Sequence, residues 1–149
     1  MRKFIVLTIL ALSLSQLKSQ TIEIGRPAEE VKLLIELSVK NSGNRNSSWD
    51  VKYYDGNISD VILCYQNQYL IDFRITTSYC KHYIMSNGKL SFVKSQYQNV
   101  STKKLNEIYT NLYGKSKKNG LFYDTDYKHY SKIYLAKNGL ATIEYRKAE

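Results

Sequence analysis

At residues 41–48 the run NSGNRNSS separates two hydrophobic periods, and that switch constrains the fold more than any other feature of the chain. Before it, Val31, Leu34, Ile35 and Ser38 recur at helical spacing, and Leu33 and Leu37 widen the apolar stripe. Pro27 suits a first helical position, where its missing N–H costs nothing. Glu29 and Glu30 place negative charge at the positive end of the helix dipole. The spacing predicts a helix over residues 27–40.

After the switch the period falls toward two. Residues 49–54, 61–66, 69–75 and 79–85 each read as a strand. Tyr69, Ile71, Phe73 and Ile75 alternate with Leu70, Asp72 and Arg74, which predicts one buried face and one mixed face. Asn87-Gly88 is a two-residue hairpin signal leading into a strand over 90–94. The helical period then returns. Ser101 is a good N-cap, Val100 and Leu105 stand at the positions of a hydrophobic staple, and Gly114 is placed to stop the helix. Leu105, Ile108, Tyr109, Leu112 and Tyr113 make its apolar face. Three further strands are expected at 121–124, 130–136 and 140–146, the last two joined at Asn138-Gly139. The pattern predicts an α+β fold: two helices, each followed by antiparallel strands, packed on a mainly antiparallel sheet.

The N-terminus reads differently. Met1-Arg2-Lys3 precedes the apolar run FIVLTILALSL, and together they match a secretory signal peptide. The run is shorter than the roughly 18 residues a membrane span needs. Residues 1–20 are therefore expected to be an export signal and residues 21–149 a single domain with no membrane-spanning segment. No Cys follows the run before Cys64, so a bacterial lipid anchor is not expected. The expected compartment is periplasmic or extracellular. Arg2, Lys3 and Lys18 lie in the signal, which lowers the net charge of +9 by three, to a moderately basic +6. That charge favours an acidic partner, a protein or an envelope component, while an exported chain seldom meets nucleic acid.

One proline and fourteen tyrosines argue for ordered strands rather than disorder. Cys64 and Cys80 either form one disulfide in an oxidising compartment or remain buried thiols.

Catalytic signatures are missing from the sequence: it has no G-x-S-x-G, H-E-x-x-H, phosphate-binding glycine loop or C-x-x-C. No cofactor is expected. Three groupings carry what chemistry there is. Cys80 and His82, two apart on a strand, share a side, and with Cys64 and His129 they would make up the four ligands of a zinc site; a disulfide or a buried Cys beside a surface His explains them more simply. Asp124, Asp126 and His129 offer acid–base or cation chemistry for a small hydrolase or metal-dependent enzyme, against the plainer reading of a turn. Lys115, Lys117 and Lys118, followed by Tyr123 and Tyr127, form a basic and aromatic patch suited to an acidic partner. Its alternative is a solvated loop. Lys103 and Lys104 oppose the dipole of the helix they open, which helix stability does not explain.

The stretch IGRPAEEVKLLIE resembles the opening of β-lactamase-inhibitor-protein-like modules and related outer-membrane-assembly lipoprotein folds, although those families usually carry Ser or Thr where this chain has Pro27. The stretches NQYLIDFRI, YCKHYIMSNGKLSFV, KLNEIYTNLYG and KIYLAKNGLATIEYR are similar to segments of small, Tyr- and Lys-rich exported proteins of Bacteroidetes-type bacteria, which are uncharacterised. The resemblance implies export and the α+β plan, and no catalytic residue. The sequence thus leads to an exported binding or envelope-accessory protein. An inhibitor or immunity-type protein with one tight partner, and a small enzyme at Asp124, Asp126 and His129, are the two alternatives.

Overall fold

The computed structural model describes residues 22–43, 46–71, 73–125 and 128–148. The expected export signal, and Asp126 and Tyr127 among the candidate residues, lie outside the described residues.

Helix α1 spans Ala28–Ser42. Pro27 stands one position before it, as an extended N-cap with φ −55° and no side-chain acceptor, so the helix begins one residue later and ends two residues later than the pattern predicts. Gly43 closes it in the left-handed region at φ 59°. Val31 and Ile35 are buried and Leu34 is half-buried. Leu33 and Leu37 are exposed and do not widen the core stripe. They sit roughly 200° and 240° around the helix from Val31, at about 100° per residue, and so point away from the sheet.

Four strands follow: β1 (Ser47–Tyr54), β2 (Asn57–Leu70), β3 (Ile75–Ser86) and β4 (Lys89–Tyr97). Five were expected. The segments 61–66 and 69–75 are not separate strands, because the first runs on to Leu70 and the second is divided by the turn after it. A bulge explains the misreading. Tyr65 faces Tyr79 but Gln68 faces Thr77, so β2 carries one extra residue at Gln66–Asn67. Asn67 takes φ 49°, and its N–H donates to Ser78 Oγ at 3.0 Å. An extra residue reverses which side chains point inward beyond it. Tyr69 and Ile71 are accordingly 60% and 78% exposed while Leu70 is half-buried, the opposite of the alternation read from the sequence. Asn87-Gly88 does form the β3–β4 turn, with φ 52° and 72°.

Helix α2 spans Thr102–Tyr113. Ser101 Oγ accepts from the Lys104 N–H at 3.1 Å, Leu105 is buried, and the Gly114 N–H donates to the Thr110 carbonyl at the other end. Leu112 and Tyr113 belong to the apolar face by spacing but are exposed. Strands β5 (Leu121–Asp124), β6 (His129–Leu135) and β7 (Ala141–Lys147) complete the described chain.

All seven strands form one antiparallel sheet in the order β1-β2-β3-β4-β7-β6-β5. The fold is α+β, with more sheet than helix. Register defines its two faces. Val61, Tyr83, Val93, Tyr145, Ser131 and Phe122 follow one another across the strands from β2 to β5, so they share a side. Both helices lie on that side. α1 packs Ala28, Val31 and Ile35 against Val61, Leu63 and Leu90; α2 packs Leu105, Ile108 and Tyr109 against Tyr97, Phe122 and Ile143. The opposite face carries no described helix. Among the described residues no helix is long and apolar enough to cross a membrane.

Candidate functional site

The helix-free face gathers the chemistry. Alternation places Cys64 on it, opposite Cys80 in register, and the two are joined in a disulfide with a Cα–Cα distance of 4.0 Å. Both thiols that a zinc site would need are thereby consumed, and no cluster of three metal-ligating side chains occurs among the described residues. His82 shares this face with Cys80 but turns to Asp60, its Nδ1 lying 3.1 Å from Asp60 Oδ2. Both side chains are largely buried, and Asp60 Oδ1 is buried without a hydrogen-bond partner.

Toward the other edge of the sheet a row of rings and cations runs across four strands. Tyr123 on β5 and Tyr130 on β6 are register partners with ring centroids 4.9 Å apart. Lys117 leans over both, its Nζ 5.0 Å from the Tyr123 centroid and 5.9 Å from that of Tyr130. Tyr130 pairs with Arg146 on β7, whose guanidinium lies 4.2 Å over the ring of Phe92 on β4. Each such contact contributes about 0.5–1 kcal/mol at an exposed site, because a ring's negative face attracts a cation. Arg146 Nε also donates to Glu144 Oε1 at 2.6 Å, and the Tyr134 hydroxyl donates to Glu144 Oε2 at 3.2 Å. Burial and then the Glu144 carboxylate hold the Tyr134 phenol above its ordinary pKa. Lys52, Lys94 and Lys132 share this face by alternation. Positive charge therefore exceeds negative across it.

The candidate basic patch is brought together in part. Lys117 and Tyr123 meet. Lys115 and Lys118 are exposed; Lys118 contributes a backbone bridge to Leu121. Asp124 and His129 are register partners at the end of the β5–β6 pairing. Trp49 packs against the α1 core. Arg146 and Phe92 were missed: they are 54 positions apart, and only the β4–β7 pairing brings them together.

The helix-covered face holds a second arrangement that the sequence does not disclose. Lys81 lies on it, between Leu63 and Ser95 in register, both buried. Burial holds its ammonium below the ordinary lysine range. Around it stand tyrosines. The Tyr109 and Tyr145 hydroxyls are 2.8 Å apart, and Tyr79 stacks on Tyr97 at 5.5 Å. Burial pushes the Tyr79 phenol up to about 12, and holds those of Tyr97, Tyr109 and Tyr145 well above their ordinary value.

No protein family, curated protein or solved structure matches this chain.

Proposed function

We propose that this chain is an exported binding protein that docks an acidic protein partner on the helix-free face of its sheet. The observation that carries the reading is the row formed by Lys117, Tyr123, Tyr130, Arg146 and Phe92. Tyr and Arg held rigidly on a sheet are the residue types that anchor protein interfaces, since they offer large area at low entropic cost. The surplus of lysine on the same face gives the partner its sign. Export is supported by the basic start and apolar run at residues 1–20, and by a disulfide that suits an oxidising compartment.

The test is a cross-linked pull-down of the tagged protein from the envelope fraction of its source. It is run beside a Lys117→Glu/Arg146→Glu variant and a Lys103→Glu control on α2. One stoichiometric partner, kept by the control and reduced about tenfold or more by the double reversal, supports the reading. Capture that is indifferent to the double reversal counts against it. Retention on anionic glycan or lipid in place of protein moves the role to an envelope-accessory one at the same face.

A further inference from the structure

The β2 bulge has a second effect. It bends the long β2–β3 hairpin so that its tip leans toward α2, with the Phe73 ring 6.0 Å from both Tyr97 and Tyr109. A cleft of about 290 Å³ is left between tip and helix. Lys81 lines it together with Tyr97 and Tyr145, while Ile71, Leu112 and Tyr113 border it as exposed apolar side chains. A core position occupied by lysine normally carries a paired acid, because an unpaired buried charge is costly. Among the described residues none forms an ion pair or hydrogen bond with Lys81, and no charged group offsets its burial. Among the described residues, the other titratable groups lining the cleft are Tyr79 of β3, Tyr97 of β4, Tyr145 of β7, and Tyr109 and Tyr113 of α2. Phenols are neutral near pH 7, so none of these supplies a counter-charge. Ser95, the register partner of Lys81, is buried beside it.

We propose that this cleft binds a small carboxylic acid with an apolar body, its carboxylate meeting Lys81 and its body lying between Ile71, Phe73 and Leu112. The acid supplies the charge that the lysine lacks. Its apolar part covers side chains that otherwise face water at the mouth. The volume stands at the lower end of the roughly 300–1,000 Å³ of small-molecule sites, which selects a short chain or a single ring. The site is on the opposite face of the sheet from the docking row and does not depend on it.

Octanoate is the probe, with octanamide as its uncharged counterpart, and binding is followed by nitrogen NMR of the lysine side chains. Octanoate should move the Lys81 resonance at saturation and shift its titration to higher pH. Octanamide should bind about tenfold or more weakly, the loss of one charge-assisted hydrogen bond. Lys81→Met should weaken octanoate by a similar factor. Leu112→Asp, an exposed change that spares the core, should do the same by placing a negative charge at the mouth. Equal affinity for octanoate and octanamide overturns the proposal, as does a Lys81 resonance unmoved by octanoate.

Discussion

The two helices cover the same face of one sheet, yet they fill it with different chemistry. Under α1 the core is mostly aliphatic: Val31, Ile35, Val61, Leu63 and Leu90, with Tyr83 buried among them and Trp49 and Tyr65 packed against them. Under α2 it is richer in rings: Tyr97, Tyr109 and Phe122 join Leu105, Ile108, Ile133 and Ile143, with Phe73, Tyr79 and Tyr145 packed against them. Aliphatic side chains close on one another and leave no polar atom to satisfy. Tyrosines bring hydroxyls that must find partners, as Tyr109 and Tyr145 do in each other. The cleft and Lys81 lie on the tyrosine side of that division, among hydroxyls rather than branched aliphatic side chains.

The largest effect expected on this comparison comes from cutting into each core separately. Ile35→Ala and Leu105→Ala each remove a fully buried side chain, and each should cost about 2–5 kcal/mol in urea unfolding. Because the sheet is continuous, both variants should still unfold in a single transition. Two separated transitions in Leu105→Ala would show that the cores are independent units and break the comparison.

The disulfide sharpens the same contrast, since it staples β2 to β3 and nothing comparable joins the strands under α2. Closing a loop of about 15 residues is worth about 3 kcal/mol in the chain-entropy model. A Cys64→Ala/Cys80→Ala variant should lose about that much, read from its denaturation midpoint. Its hairpin tip, rather than α2, should show the faster amide exchange.

The smallest effect at neutral pH, and the most selective, lies in the tyrosines. Each buried phenol has a folded pKa above its unfolded value of about 10. Its contribution is therefore fully present below pH 10 and is lost as the pH rises through the folded value, about 12 for Tyr79. Stability should fall above pH 10, tracked by phenolate absorbance. Tyr109→Phe should cost about 1 kcal/mol at pH 7 by removing one hydrogen bond. It should also lessen the alkaline loss, which Tyr53→Phe, at an exposed position, should leave unchanged.

Much of the local structure was legible. The staple of Val100 and Leu105, the Ser101 cap and the Gly114 stop are short-range signals, and α2 follows them almost residue for residue. Asn87-Gly88 places its turn for the same reason. The β2–β3 hairpin was not legible, because a bulge is decided by the partner strand. With Ser78 accepting the Asn67 N–H, one residue is spare and the alternation beyond it inverts. Of the candidate site, Lys117 and Tyr123 were readable as a nearby basic and aromatic pair. Arg146 and Phe92 were not, since no short-range pattern links residues on β4 and β7.

By itself the sequence determined the kinds of element, their order, the caps and turns, and the absence of familiar catalytic signatures. Each of these depends on residues within a few positions of one another, where backbone preference and side-chain spacing act directly. Only the tertiary structure decided which side chains share a face, that both helices cover the same one, and that a lysine stands among tyrosines with no charged partner among the described residues. Those outcomes depend on strand register, which is set by partners distant in the chain and reversed by a single extra residue.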